Sequence, residues 1–206
     1  MPQTKTPPIR TRDFGGPWPA FRAGLRLAFG VPATVLGASY IGFGAMVHQA
    51  GLEVWHGIAS VVTAWALPGQ IALVDLYGDG ASLLAIAIAV AVTNARLLPM
   101  AITLVPLMCS PGTPRWRYYL AAHFIAVTGW ALAMRDCPAM PAAQRLPYFI
   151  GIVMVLWCVS MLGASLGYFL VGGVPAYVTL GLVFLNPVYF MLVIAGQIFG
   201  FFLTAS

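Results

Sequence analysis

Long apolar runs separated by short polar loops make up most of the chain. Each run approaches or exceeds the roughly 20 residues that an α-helix needs to cross the hydrocarbon core of a bilayer. The runs cover residues 27–50, 54–77, 81–108, 118–134, 147–171 and 174–204. The pattern therefore predicts an all-α, polytopic transmembrane helical bundle with about six spans, and it leaves no room for a separate soluble domain.

Three of these runs are interrupted by a proline beside a polar side chain. A proline inside a helix removes one backbone donor and frees the carbonyl four residues earlier. Transporters often bind their substrates near the middle of the bilayer with helices broken in this way. The interruptions are Pro68 with Gln70, Pro99 with Asn94, and Pro187 with Asn186. The sequence thus predicts proline-broken helices that contribute to one shared central site.

The third run contains Arg96, a charge that is costly inside a bilayer. Insertion scales give about 2.5–3.5 kcal/mol for a charge at that depth, so Arg96 is expected to face protein or a water-filled cavity. In a regular helix, Asn94 and Arg96 would point about 200° apart. Because Pro99 frees the carbonyl of Ala95, we predict a distorted helix at residues 94–96 that lets both side chains line one cavity.

The second run has two interpretations at Pro68-Gly69-Gln70. In the first, it is the start of a half-helix, where unpaired N–H groups and a partial positive charge would hold an anionic substrate group. Alternatively, Pro68 only kinks the helix, and Gln70 forms a hydrogen bond to a neighbouring helix. The sequence leaves both open.

Three weaker features each have an ordinary interpretation and a functional one. Gly42-Phe43-Gly44 is typical of tight helix packing, with an unwound substrate-facing turn as the alternative. Asp75 is expected to be interfacial and to face water, with the alternatives of a counter-charge for Arg96 or a protonatable coupling group. His123 is expected to form a structural hydrogen bond, with a proton relay for energy coupling as the alternative.

Composition supports a membrane protein and excludes several other classes. Only 7% of the residues are charged and the mean hydropathy is +0.90, whereas soluble domains carry about 25% charged residues. The net charge of +5 does not indicate nucleic-acid binding, because no basic patch interleaves with aromatics. The three cysteines lack the spacing of metal ligands, and no cofactor is predicted.

The positive charges are concentrated near the N-terminus. The cations that precede the first span are Lys5, Arg10, Arg12, Arg22 and Arg26. By the positive-inside rule they predict a flexible, basic, cytoplasmic tail over residues 1–26, followed by a transmembrane transport domain over 27–206. The sidedness of the later loops stays open. Six simple spans place Arg115 and Arg117 outside, whereas a re-entrant second segment places them inside.

Several motifs together resemble the AzlC family, the large subunit of branched-chain amino acid exporters. The resemblance covers roughly residues 21–200 and rests on the order and spacing of these motifs. They are Phe21–Gly24 before Gly30–Pro32, Gly42-Phe43-Gly44, Pro68-Gly69-Gln70, Asn94-Ala95-Arg96 with Pro99, and Leu180–Phe184 before Pro187. The chain departs from the family at Ala122-His123, where relatives commonly carry an acidic pair. The resemblance implies export of branched-chain amino acids across the bacterial cytoplasmic membrane, with a small AzlD-type membrane partner.

The leading hypothesis is therefore a secondary transporter subunit. Arg96, or the half-helix start at Pro68, Gly69 and Gln70, would hold the substrate carboxylate, and Asn94 and Asn186 would take the ammonium. The alternative is a structural or regulatory membrane subunit in which Arg96 pairs with an acidic residue of a partner. An intramembrane enzyme is not expected, because the spacing of Glu53, Asp75 and His123 matches no metal or acid–base constellation.

Overall fold

The computed structural model describes residues 12–170, 177–178, 181–185, 188 and 191. Asn186, Pro187 and most of the predicted last span lie outside the described residues. Regular structure in the described part is entirely helical. The helices are α1 (Pro17–Ala28), α2 (Val31–Gln49), α3 (Val54–Thr63), α4 (Leu67–Gly78), α5 (Leu83–Asn94), α6 (Leu97–Met108), α7 (Arg115–His123), α8 (Val127–Asp136) and α9 (Ala142–Leu170), with a short 3₁₀ turn at Cys137–Ala139. The all-α prediction is confirmed for this part of the chain.

Helices α1 and α2 run one after the other, parallel to the long helix α9. Glycines bring the backbones together, because a Cβ added at Gly24 would overlap the Tyr148 carbonyl and one at Gly44 would overlap that of Ala164. Small residues allow this close approach between helices in lipid. Helix α2 continues unbroken through residues 42–44. The packing interpretation of Gly42-Phe43-Gly44 is therefore confirmed, and the alternative of an unwound turn is wrong.

The N-terminal segment is ordered from Arg12 onward, which corrects the expectation of a flexible tail for that part. Pro17 begins α1, a position where its missing N–H costs nothing. The chain before α1 is tied to the start of α9, since the Arg12 N–H donates to the Ala139 carbonyl at 2.7 Å. The Phe14 N–H donates to Gln144 Oε1 at 3.0 Å.

The described residues contain fewer candidate spans than the six predicted. Helices α2 and α9 are each long and apolar enough to cross a membrane, and α5 with α6 qualifies as a pair bent by 43°. That gives two candidate spans, or three with the bent pair. The second and fourth apolar runs are instead each divided into two short helices, α3 with α4 and α7 with α8.

The helices α3 and α4 form a hairpin that enters and leaves at one end of the bundle. We call this the distal end, where α2 and α9 finish. A Cβ at Gly57 in α3 would lie 3.3 Å from Val47 Cγ2, and one at Gly78 in α4 would lie 3.7 Å from Ala50 Cβ. The tip of the hairpin, residues 64–66, therefore points into the bundle, towards the middle of α2 and α9.

The helices α7 and α8 form a second hairpin, which enters from the opposite, proximal end, where α1 and α9 begin. At its base, the Tyr148 hydroxyl in the second turn of α9 donates to Asp136 Oδ2 at 2.6 Å. Its tip, residues 124–126, meets the first tip. His123 Nε2 lies 2.9 Å from the Val62 carbonyl oxygen, and the rings of Phe124 and Trp65 pack edge to face, with centroids 6.5 Å apart.

The two hairpins belong to an inverted repeat. In each unit a crossing element is followed by a hairpin: α2 by α3–α4, and α5–α6 by α7–α8 in the opposite direction. The half-helix starts are also alike in sequence, Ala66-Leu67-Pro68-Gly69 and Ala126-Val127-Thr128-Gly129. Both alanines are extended residues that precede the helix. Inverted repeats with binding sites at their interface are common in secondary transporters.

Candidate functional site

Helix α4 begins inside the bundle, and the backbone N–H groups of its first turn have no intrahelical partner. Ala66 is extended and has no side-chain cap, and Pro68 occupies the first turn. The first intrahelical bond that follows is the Gln70 N–H to the Ala66 carbonyl, at 3.1 Å. The N–H groups of Leu67 and Gly69 therefore lack an intrahelical partner, and the helix dipole places partial positive charge there. The predicted half-helix start is present.

Helix α8 begins in the same way, at the same depth. Ala126 precedes it in an extended conformation without a side-chain cap, and the Trp130 N–H donates to the Ala126 carbonyl at 2.8 Å. The first turn, residues 127–129, contains no proline, so it offers one more backbone donor than α4. The sequence analysis missed this break, because no proline marks it.

A small cavity lies between these two helix starts. Its volume is about 30 Å³, enough for a carboxylate-sized group or one to two water molecules. Residues from α2, from both hairpins and from the α5–α6 break line it: Leu36, Tyr40, Trp65, Ala66, Leu67, Pro68, Arg96, Leu97, Ala126, Val127 and Thr128. No acidic side chain is among them, so the electrostatics of the cavity favour an anion.

Arg96 reaches this cavity because the third run is broken where we predicted. Helix α5 ends at Asn94 and α6 begins at Leu97, with Arg96 as the residue that precedes α6. In the part of the chain that the structure describes, Arg96 forms no ion pair. Its guanidinium thus adds a full positive charge beside two partially positive helix starts.

Asn94 faces the same half-helix start but does not line the cavity. A Cβ added at Gly69 would lie 2.7 Å from Asn94 Nδ2 and would overlap Oδ1, so the amide packs directly on the first turn of α4. Asn94 Oδ1 is buried, and no described residue donates a hydrogen bond to it. The two side chains therefore approach α4 from different sides.

Both interpretations of Pro68-Gly69-Gln70 hold together, because a half-helix starts there and Gln70 also forms hydrogen bonds to neighbouring helices. It lies in the first turns of α4, is 2% exposed, and accepts a hydrogen bond from the Tyr40 hydroxyl at 2.8 Å. Its Nε2 donates to Ser60 Oγ at 3.1 Å. Because both ends of the amide are bonded to neighbouring helices, Gln70 positions α4 rather than presenting a free polar group to the cavity.

The remaining candidates lie elsewhere. His123 bonds the backbone of the other hairpin and not the cavity, as its structural interpretation expects. Asp75 is exposed near the distal end of α4 and forms no ion pair with Arg96. Asn186 is outside the described residues. The one functional feature that the sequence analysis missed is the start of α8, whose only signal is the likeness of residues 126–129 to residues 66–69.

The fold and the cavity together define an all-helical protein with two or three candidate membrane spans, in which two hairpins meet at a small cavity lined by Arg96. The family model of the AzlC protein matches residues 32–174, and the chain belongs to the AzlC family. Its members are subunits of inner-membrane transporters and not enzymes, and membership implies a subunit of a branched-chain amino acid exporter that works with an AzlD partner. The match contains both hairpins and Arg96. No curated protein and no solved structure matches the chain.

Proposed function

We propose that the protein is the large subunit of a secondary transporter that exports branched-chain amino acids or similar small zwitterions. The substrate carboxylate would bind in the cavity between Arg96 and the first turn of α4. The observation that carries this proposal is that Arg96, an exposed residue, lines the same small cavity as Leu67 and Pro68 at the uncapped start of α4.

The donors around the cavity suit a carboxylate in particular. Helix N-termini bind anions through unpaired N–H groups and the dipole, and the planar guanidinium of Arg96 can take a carboxylate in a bidentate fork. Gly69 lets a ligand approach the backbone of α4 closely. For the ammonium group of the substrate, the buried and unpartnered Asn94 Oδ1 is one candidate, and Asn186 remains a second one.

The size of the cavity implies movement during transport. A volume of about 30 Å³ holds the carboxylate but not a branched side chain. The hairpin tips, which touch through His123 and Val62 and through Phe124 and Trp65, must therefore separate for a whole amino acid to enter. Because the hairpins open towards opposite ends, separating them from the bundle in turn would give alternating access.

The distribution of charge supports an orientation with the N-terminus in the cytoplasm. The described arginines in the proximal half are Arg12, Arg22, Arg26, Arg115, Arg117, Arg135 and Arg145, beside Asp13 and Asp136, while the distal end has the acidic residues Glu53, Asp75 and Asp79. No arginine or lysine of the described residues lies at the distal end. The positive-inside rule then places the proximal end in the cytoplasm. A re-entrant α3–α4 hairpin, one of the two alternatives from sequence, accounts for this asymmetry.

Efflux of labelled L-leucine from cells that co-express the AzlD-type partner tests the proposal. We expect Arg96→Ala to abolish export and Arg96→Lys to retain only part of it, since an ammonium keeps the charge but loses the fork. Arg117→Ala, which removes an exposed arginine from the first turn of α7, is the matched control and should export normally. Normal export by Arg96→Ala at equal expression would refute the site. Absence of export by the wild type would favour the structural or regulatory subunit.

A further inference from the structure

We infer that α8 supplies the second half of the carboxylate site, with the Thr128 hydroxyl as a direct hydrogen-bond donor to the substrate opposite Arg96. This inference rests on the proposed function, because it names a further ligand of the same substrate group. It extends the site from one half-helix start to two, contributed by the two halves of the inverted repeat.

The first observation is the unusual state of the Thr128 side chain. Thr128 is 6% exposed, its side chain contributes to the cavity lining, and no described residue forms a hydrogen bond with its hydroxyl. Its oxygen is not one of the fully buried atoms without a partner, so part of its surface stays accessible although the residue is buried. A ligand that enters the cavity can therefore accept its hydrogen bond.

Four other threonines in the described helices do not share this state. The hydroxyls of Thr34, Thr63, Thr93 and Thr103 each donate to a backbone carbonyl three or four residues earlier, at 2.7–3.0 Å. Thr128 is the second residue of α8, so no helical carbonyl precedes it at that distance. Its hydroxyl is thereby left for a group that comes from outside the helix.

The comparison of the two helix starts gives the second observation. Pro68 in α4 and Thr128 in α8 occupy equivalent positions of the repeat, and both line the cavity. Pro68 has no N–H to offer, whereas Thr128 offers an N–H and a hydroxyl. A carboxylate presents two oxygens with about four acceptor sites. One oxygen can therefore bind Arg96 and the α4 start while the other binds the α8 start.

The charge balance of the cavity also fits a single carboxylate. Each helix start contributes roughly half a positive charge, and Arg96 contributes one more, without an acidic side chain in the lining. An amino acid whose carboxylate is neutralised, such as an amide derivative, lacks the charge that these groups stabilise. The site should therefore discriminate strongly between an amino acid and its amide.

Binding of L-valine and L-valinamide to the purified full-length chain, in complex with its AzlD-type partner, tests this inference. We expect Thr128→Val to weaken L-valine binding by about tenfold or more, the loss typical of one hydrogen bond to a charged group. The weak binding of L-valinamide should not change. Thr128→Ser, which keeps the hydroxyl, should bind L-valine within about threefold of the wild type. Thr34→Val is the matched control on an outer face of α2 and should bind normally.

The outcomes separate this inference from the proposed function. If Arg96→Ala loses L-valine binding while Thr128→Val binds like the wild type, the role of Thr128 is refuted and the proposed function stands. If Thr128→Val weakens L-valine and L-valinamide equally, the residue acts only on the structure, which also refutes the direct contact. If the folded wild-type complex binds no amino acid, the proposed function fails, and the inference fails with it.

Discussion

The two hairpins have the same shape, but one makes its polar contacts with the rest of the bundle at its tip and the other makes them at its base. The α3–α4 hairpin is held at its tip, where Trp65 Nε1 donates to Ser160 Oγ at 3.1 Å and Gln70 joins Tyr40 to Ser60. The α7–α8 hairpin is held at its base, where Asp136 accepts a hydrogen bond from the Tyr148 hydroxyl and forms an ion pair with Arg12. Its tip contacts the first hairpin through the exposed His123 and through the edge-to-face packing of Phe124 on Trp65. The difference indicates that polar contacts tie α3–α4 to the bundle at its tip, whereas those of α7–α8 lie at its base.

The largest effect is expected from removing the tip anchor of the first hairpin. Gln70→Ala leaves the Tyr40 hydroxyl buried without its acceptor and opens a cavity in the core, and together these should lower the free energy of unfolding by about 2–4 kcal/mol. Thermal unfolding of the purified chain measures this change. Trp130→Phe at the equivalent position of α8 removes only a partly exposed hydrogen bond to Thr103. Equal losses in both variants would contradict this difference between the two tips.

An intermediate effect is expected at the base of the second hairpin. Asp136 is 7% exposed. Its burial alone would raise its pKa, but hydrogen bonds from Arg135 and Tyr148 and the charges of Arg135 and Arg12 hold the pKa below the usual range of a carboxyl. Asp136→Asn should therefore destabilise the protein by about 1–2 kcal/mol at neutral pH, since Arg12 and Arg135 are about half exposed and partly screened.

The sign of the pH dependence follows from that lowered pKa. A carboxyl whose pKa is depressed by folding stabilises the protein above the pKa of the unfolded chain, and the contribution is lost as the pH falls through the folded pKa. Unfolding temperatures from neutral pH down to about pH 3 should thus fall more for the wild type than for Asp136→Asn. Parallel curves would mean that the ion pair contributes no stability.

The smallest effect is expected at the tip of the second hairpin. His123 is exposed and forms one hydrogen bond, to the Val62 carbonyl. His123→Gln, which keeps a donor, should change stability by less than about 1 kcal/mol and leave leucine export intact. Loss of export with unchanged stability would instead support the proton-relay alternative from the sequence.

The sequence predicted the first hairpin break and the Arg96 break because both leave local signals. Pro68 with Gly69 marks one, and a charge near Pro99 in an apolar run marks the other. The second hairpin break has no such signal, since Ala126-Val127-Thr128 contains nothing that disfavours a helix strongly. Its position depends on contacts across the fold, such as Phe124 against Trp65 and Trp157, which no local pattern contains.

The same lack of a local signal explains why the helix at residues 17–28 and the two hairpins were not predicted from the sequence. Residues 17–28 form a helix because glycines let α1 pack on α9, and the segment before it is ordered by the bond from Arg12 to Ala139. Both depend on residues more than a hundred positions away. The spans at 54–77 and 118–134 had the right length and hydropathy, but neither property distinguishes a crossing helix from a hairpin that turns back.

The central claim is that an amino acid carboxylate binds where the two hairpins meet. The most direct test is an experimental structure of the full chain with its partner and bound L-leucine. We expect the carboxylate between Arg96, the first turn of α4 and the Thr128 hydroxyl, with the contact between the hairpin tips opened. Leucine bound away from this cavity, with Arg96 and Thr128 unengaged, would contradict it.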